Sequence, residues 1–317
     1  MFVAEKDVME KSLESFNDVF SDIVNVLLFG GTERVKEDEL EAALPRSYYK
    51  AEGKIREQER DTSKYWKQVN LRISMFGMEN ETEPENDMPL RVIGYDGASY
   101  RDQLFYVTDP DGRRRINDAP RYPVITLVLY FGSKHWKKPL TLHESLDIPE
   151  YLQPYVSDYR VNLFEIAWLP EEQIAKFKSD FRIVADYFAQ LRRNGDYIPT
   201  TQQITHVREV LHMMSALTND HRFEDAQDLW AEGVEPKTMS EVIDRYMNKG
   251  REEGRAEGRA EGRAEGRKEG RAEGKQEGVA SSLRSVMETL SMTLEQAMSV
   301  LNIPASEREM YAGMVGK

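Results

Sequence analysis

Residues 60–101 read RDTSKYWKQVNLRISMFGMENETEPENDMPLRVIGYDGASYR. Apolar residues at Leu71, Ile73 and Met75 alternate with polar ones, the period-two pattern of a strand with one buried face. A second apolar–aromatic segment, Asp61 to Trp66, precedes it, and Gln68, Val69 and Asn70 lie between as a turn. If the two segments pair as a hairpin about Asn70, partner numbers sum to 140 and Asp61 stands opposite Glu79. Directly opposed residues share a face, with Cβ atoms ~5 Å apart. Two carboxylates so close repel unless one is protonated or a cation lies between them. A hard, oxygen-seeking ion such as Mg²⁺ suits that position and keeps several waters. The same spacing also fits two solvated acids in an acid-rich chain.

Upstream, Phe16, Val19, Phe20, Ile23, Val24, Leu27 and Leu28 follow helical spacing, which predicts a helix over 13–29 ended by Gly30-Gly31. Asp18 and Asp22 are one turn apart on its polar side. Either an acid of this helix completes a three-acid site at the hairpin, or both are solvated. Between 32 and 60 the pattern places helical turns at Glu37–Ala43, stopped by Pro45, and no strand. Pro89 suits the first turn of a helix, with Leu90, Ile93 and Ala98 toward the core. Arg91, Tyr95, Tyr100 and Arg101 add basic and aromatic groups to it. Residues 107–120 read as a turn-rich loop whose Arg113, Arg114 and Arg115 form the chain's clearest basic spot.

The run Tyr122–Phe131, YPVITLVLYF, is the most apolar in the chain and predicts a central strand buried on both faces. His135 and His143, eight residues apart with no third ligand at metal spacing, read as loop histidines. From Leu163 the pattern turns helical, with a break at Pro170, a helix to Asn194 and a stop at Gly195. Further helices are expected over Thr201–Leu217, with Met213 and Met214 in the core, and over Met239–Asn248.

Residues 250–278 repeat a four-residue unit close to Gly-Arg-Ala-Glu. Eight Lys or Arg meet eight Glu there, so the rest of the chain carries the whole net charge of −13. Each Gly costs ~1 kcal/mol relative to Ala in a helix, and like charges recur at i, i+4. The repeat is therefore either a solvated linker or marginal exposed helix, or a glycine stripe that admits a second helix. That stripe drifts ~40° per repeat. In the tail, Thr293 and Gln296 fit a capping box. The break Leu301-Asn302-Ile303-Pro304 between short helices suggests a helix-turn-helix or a small docking or oligomerisation unit.

Composition bounds the classes. The 317 residues, 40% hydrophobic and 31% charged, suit a globular core with a charged appendage. No apolar run is long enough to span a membrane, and an N-terminus carrying acids from Glu5 onward does not read as a signal peptide. There is no cysteine, which points to a reducing cytoplasm and excludes a thiolate zinc site. The charge of −13 argues against non-specific coating of nucleic acid.

Taken together, FSDIVNVLLFGG, RDTSKYW, FGMENET, MPLRVIGYDGASYRDQ, RYPVITLVLYFG, the EGRAEG tract and TLEQAMSVLNIP resemble the recombination-promoting nuclease (Rpn) family of bacteria. That family is part of the PD-(D/E)XK nuclease superfamily. The resemblance implies an α/β fold with a restriction-endonuclease-like αβββαβ core at 1–160. It further implies a helical extension at 161–249, the repeat at 250–278 and a helix pair at 279–317. It implies a metal-dependent DNA endonuclease using Mg²⁺, or Mn²⁺ or Ca²⁺. Asp61 and Glu79 would be its strand acids, Asn80 would offer its carbonyl to the metal, and Asp22, or else Asp18, would be the acid of the first helix. The superfamily has Lys, and this family often Gln, where this chain has Glu81. Glu81 would then be a metal ligand or general base, with Lys64 or Arg91 as the replacement cation. Arg91, Arg101, Arg113, Arg114 and Arg115 would face DNA, and the C-terminal region would serve any homo-oligomer. Two other readings are a non-cutting nuclease-fold interaction module, favoured by Glu81 and the acidic charge, and a scaffold joined through the repeat and tail.

Overall fold

The computed structural model describes residues 12–43, 46–51, 54–59, 61–69, 71–218, 223 and 237–316, with the backbone alone at 46–51, 54–59 and 253. The chain divides into two compact units, Met1–Tyr246 and Met247–Lys317.

The first unit opens with a 3-10 turn, Leu13–Ser15, and helix α1, Asn17–Phe29, which ends at Gly30 in the left-handed region at φ 64°. Strands β1 (Leu40–Ala42), β2 (Arg46–Ala51), β3 (Lys54–Glu59), β4 (Thr62–Gln68) and β5 (Leu71–Glu81) follow. Then come α2 (Met88–Asp102), the short strands β6 (Tyr106–Thr108) and β7 (Arg114–Ile116), and β8 (Val124–Tyr130). After α3 (Leu142–Ser145) lies β9 (Asn162–Glu165), and α4 (Glu171–Ile174), α5 (Phe181–Asn194), α6 (Val207–Leu217) and α7 (Met239–Leu290) complete the order.

One five-stranded mixed sheet, in the order β1-β4-β5-β8-β9, organises this unit. β1, β4 and β5 pair antiparallel, and β5, β8 and β9 pair parallel. The β4–β5 partners sum to 140 from Thr62–Met78 to Trp66–Ser74, as the sequence pattern requires. A bulge between Trp66 and Lys67 then shifts the register to Gln68–Leu71. Asn70, where the turn was placed, lies outside the described residues, as does Pro45.

β8 is the central strand expected, buried on both faces. Leu127, Leu129 and Phe131 join Phe76 and Met78 in the main core with Val19, Phe20, Ile23 and Val24 of α1 and Phe181, Val184 and Phe188 of α5. Val128 and Tyr130 face the other way, against Met88 and Val92 of α2 and Trp136. Each fully buried side chain of this size contributes ~1.5–3 kcal/mol. Met213 and Met214 are core residues, as expected.

Several expectations give way. Glu37–Glu39 is a single 3-10 turn, and β1 to β3 occupy a stretch in which no strand was placed. Residues 162–165 are not helical; they add β9 to the sheet beside β8, so the sheet reaches past residue 160. On α2 the buried residues include Met88, Val92, Tyr95 and Ser99, while Leu90 is exposed. Residues 107–120 contain strand residues of a small β6–β7 ribbon. His143 belongs to α3, and only His135 stands in a loop.

In the second unit the repeat is helical and exposed within α7, and a Cβ at any of its glycines would meet nothing within 4 Å. Leu294–Val300 and Ala305–Val315 are the tail helices, the first capped by the reciprocal Thr293–Gln296 bonds. Ala280, Leu283, Ala297, Met298, Ile303 and Tyr311 form a separate small core. Among the described residues no helix is long and apolar enough to cross a membrane.

Two outcomes follow. Leu127→Ala, at a fully buried site between two covered faces, lowers unfolding stability by ~2–5 kcal/mol in denaturant titration. Gly262→Ala and Gly266→Ala, each opening onto solvent, stabilise the repeat helix by about 0.5–1 kcal/mol apiece, read as slower amide exchange there.

Candidate functional site

The site sits where β5 leaves the sheet. Thr62–Met78 is the last strand pair, and Asp61 lies one residue beyond it. Its Oδ2 accepts the backbone N–H of Asn80 at 2.7 Å, which holds the carboxylate across the end of β5. Continuing the register sets Asp61 level with Glu79. Because side chains alternate along a strand, Met78 and Asn80 point toward the α1 side while Glu79 and Glu81 point toward α2.

On the α2 side one guanidinium meets three carboxylates. Arg91 donates from Nη2 to Glu79 Oε2 at 3.1 Å and from Nη1 to Glu81 Oε1 at 2.8 Å and Glu85 Oε2 at 2.5 Å. Tyr95, one turn further along α2, places its hydroxyl 3.5 Å from Nη2. Arg91 is brought here by the helix that starts at Met88-Pro89, whose buried Met88 and Val92 fix its rotation against Val128 and Tyr130.

Glu79 is 2% exposed, and its Oε1 has no hydrogen-bond partner among the described residues. Burial, then the neighbouring Asp61 charge, push its carboxyl up to about 8, against the opposing pull of Arg91. Burial also raises Glu81, with Arg91 opposing. Protonation of Glu79 at neutral pH lessens the crowding of carboxylate charge around Arg91, which also donates to Glu81 and Glu85.

From the α1 side a further acid arrives that the sequence did not single out. Glu14, in the turn before α1, is buried and accepts Asn80 Nδ2 at 2.8 Å. Burial raises its pKa; its own backbone and Asn80 work against that, and Asp61 adds to it. The only signal in the sequence was an acid set between Leu13 and Phe16, at the head of the apolar stripe.

Not every expected residue comes here. Asp22, eight residues beyond Glu14, is held elsewhere: its Oδ2 accepts the N–H groups of Lys178 and Ser179 at 2.8 and 2.7 Å. Asp18 instead faces His206, whose Nε2 lies 3.0 Å away. Lys64 is also displaced, because it is three positions from Asp61 and so on the opposite face. Its Nζ donates to Ser15 O at 2.6 Å and to Asn17 Oδ1, tying β4 to the turn that carries Glu14. Arg91 is engaged by acids, with its side chain 34% exposed. Arg101 is exposed on the last turn of α2. On the ribbon, Arg113 pairs with Asp111 and Arg115 with Asp109 and Asp118, while Arg114 lies over the Tyr106 ring. The basic spot is thus largely neutralised by its own loop.

Asp61, Glu79, Asn80, Glu81 and Arg91 do meet, with Glu14 behind them. Among the described residues no three His, Cys, Asp or Glu side chains form a ready cage for a metal ion. What the arrangement offers is two carboxylates on one face, one of them buried with an unsatisfied oxygen.

Residues 76–219 match the family described as putative transposase, YhgA-like. This is the Rpn family that the motifs resemble. The YhgA-like segment begins on β5 at Phe76 and runs into the residues that follow α6, so it contains Glu79, Asn80, Glu81 and Arg91 but not Glu14 or Asp61. Searches of curated proteins and of solved structures found no match.

The site has a pH signature. A folded pKa of about 8 for Glu79 stands above its ordinary carboxylate value of 4.5. Its contribution to stability is therefore full below the unfolded value and is lost as pH rises through about 8. Without added metal, thermal stability falls over that window, and Glu79→Gln flattens the fall. Arg91→Ala then costs more above about 8 than at neutral pH, because the buried Glu79 carboxylate loses its cation once it is charged.

Proposed function

We propose that this chain is a metal-dependent DNA endonuclease that hydrolyses phosphodiester bonds in DNA recombination or transposition. The observation that carries the reading is the pair Asp61–Glu79, set level at the end of β4 and β5 with a buried Glu79 oxygen left unsatisfied. Leaving aside the separate β2–β3 and β6–β7 ribbons, the elements α1, β1, β4, β5, α2 and β8 follow the order an αβββαβ core would have. The YhgA-like match supports a DNA-directed role.

The residues fit a small hard cation. Asp61 and Glu79 would hold it with the Asn80 carbonyl, and Mg²⁺ tolerates so few protein ligands because it keeps its waters. When bound, Mg²⁺ or Mn²⁺ supplies Lewis-acid charge at the phosphodiester and makes water more acidic. The chain's own groups do the rest. Glu79 would hold the ion as a carboxylate, its proton passing to solvent. Asp61 is held for that role by the Asn80 N–H. Glu81, whose pKa burial raises, would serve as a general base. Arg91 is the fixed cation in a site that has Glu81 where the superfamily has lysine. Glu14, rather than Asp22, is the acid that the α1 end contributes, acting through Asn80.

One observation favours a second reading. Arg91 already joins Glu79, Glu81 and Glu85, an arrangement that also suits a nuclease fold that holds DNA without cutting it. Nicking of supercoiled plasmid separates the two. The endonuclease reading expects cleavage by the wild-type chain with Mg²⁺ or Mn²⁺, and a loss of at least about 100-fold in rate for Asp61→Ala and Glu79→Ala. Cleavage that persists in both variants moves the chemistry elsewhere. Binding without cleavage in any divalent metal, and none on Glu81→Gln or Glu81→Lys, selects the non-cutting module.

A further inference from the structure

We infer that the loop from Gly132 to Pro139, GSKHWKKP, is the surface on which this chain grips the phosphate backbone of DNA beside the carboxylate site. The inference rests on the DNA-directed reading above and names the part of the surface that serves it.

Charge is the first ground. The loop holds Lys134, His135, Lys137 and Lys138 with no acid among its residues, in a chain whose net charge is −13. All four cationic or titratable side chains are exposed. Within the described residues none of the three lysines is ion-paired, whereas Arg113 and Arg115 of the ribbon are matched by aspartates. The acid next to the loop is Glu165, and its oxygens are taken up by the loop itself: Oε1 accepts Trp136 N–H at 2.7 Å, and Oε2 lies 3.1 Å from His135 Nδ1. Phosphate is thus the partner that the exposed ammonium groups lack.

Rigidity is the second ground. Trp136 is 9% exposed, packs edge-on to Tyr130 with ring centroids 5.2 Å apart, and donates from Nε1 to Lys138 O at 3.1 Å. The His135 ring stacks on Trp168 at 3.5 Å. At Gly132 the chain turns so close under Tyr130 that any Cβ would collide with that ring. The lysine stems therefore spring from an anchored backbone, so less ordering entropy opposes binding than in a loose loop.

Position is the third ground. The loop leaves β8 directly: Tyr130 is the strand partner of Glu81, and Phe131 N donates to Glu81 O at 2.8 Å. An extended chain advances ~3.3 Å per residue, so Lys134 is at most ~10 Å beyond Phe131. That distance spans about three successive phosphates of one strand at ~3.4 Å of axial rise each. A backbone seated on the lysines thus passes the end of β5 where Glu79 and Glu81 stand.

The test is fluorescence anisotropy of a short labelled DNA duplex over a salt series, with Ca²⁺ present, alongside plasmid nicking with Mg²⁺ and Mn²⁺. Compared are the wild-type chain, a Lys134→Ala/Lys137→Ala/Lys138→Ala variant, and an Arg113→Ala/Arg114→Ala/Arg115→Ala variant. The substituted lysines are exposed and outside the core, and a thermal melt verifies the fold. The expected result is binding weakened about tenfold or more in the lysine variant, and a salt slope reduced by about 2–3. The arginine variant stays within about twofold of wild type. An unchanged affinity and slope in the lysine variant overturns the loop assignment and leaves the endonuclease reading standing. Lysine-dependent binding without nicking overturns cleavage and supports the loop. No DNA binding by the wild-type chain overturns both.

Discussion

A carboxylate that water does not reach governs this structure. Glu79 lies two residues from the end of the strand that joins the antiparallel and parallel halves of the sheet, and its position is set by the register of β4 on β5. Once Met78 is committed to the core, alternation turns Glu79 to the other face, beneath α2. Burial there disfavours its charge, and Asp61 disfavours it further. Arg91 offsets part of the cost, but it also serves Glu81 and Glu85. The structure around the hairpin end is a response to that excess of negative charge in a confined space.

Two supports hold the acids in place, one on each face. Arg91 and Tyr95 act from α2, while Asn80 and Glu14 act from the turn before α1. Lys64, buried and bonded to Ser15 and Asn17, fastens that turn to β4. A lysine expected at the chemistry thus supports the backbone that positions an acid instead. The cation at the site comes from α2, and three exposed lysines stand in the loop that follows the central strand β8.

Much of this was legible in the residues. Period two between Leu71 and Met75 marked the strand but not its buried face, since Leu71 is exposed and the main-core residues of β5 are Phe76 and Met78, while the ten-residue apolar run at 122–131 marked the central strand. Gly195 and the Thr293–Gln296 pair ended and began helices where local chemistry demanded. The failures have physical causes. Strands of three or four residues, such as β1 and β9, are too short to show a period, and their pairing is decided by the sheet. Helical spacing tells that Asp22 faces away from the core but not which loop arrives opposite, and Lys178-Ser179 comes from far along the chain. Glu14 is one acid in one short turn, without periodicity to mark it. Lys64 could have been placed correctly, since an odd offset from Asp61 puts it on the other face.

In the endonuclease reading we propose, a divalent cation would take the place of the Glu79 proton between Asp61 and Glu79. The most direct measurement is calorimetric titration with Mg²⁺ or Mn²⁺ at neutral pH, repeated in buffers of different ionisation enthalpy so that proton release is read independently of binding heat. Binding is expected to be coupled to the release of up to about one proton, because a ligand carboxylate must be deprotonated, with both binding and release lost in an Asp61→Ala/Glu79→Ala double variant. Metal binding of unchanged affinity in that variant, or binding by the wild-type chain with no proton released, would contradict that reading.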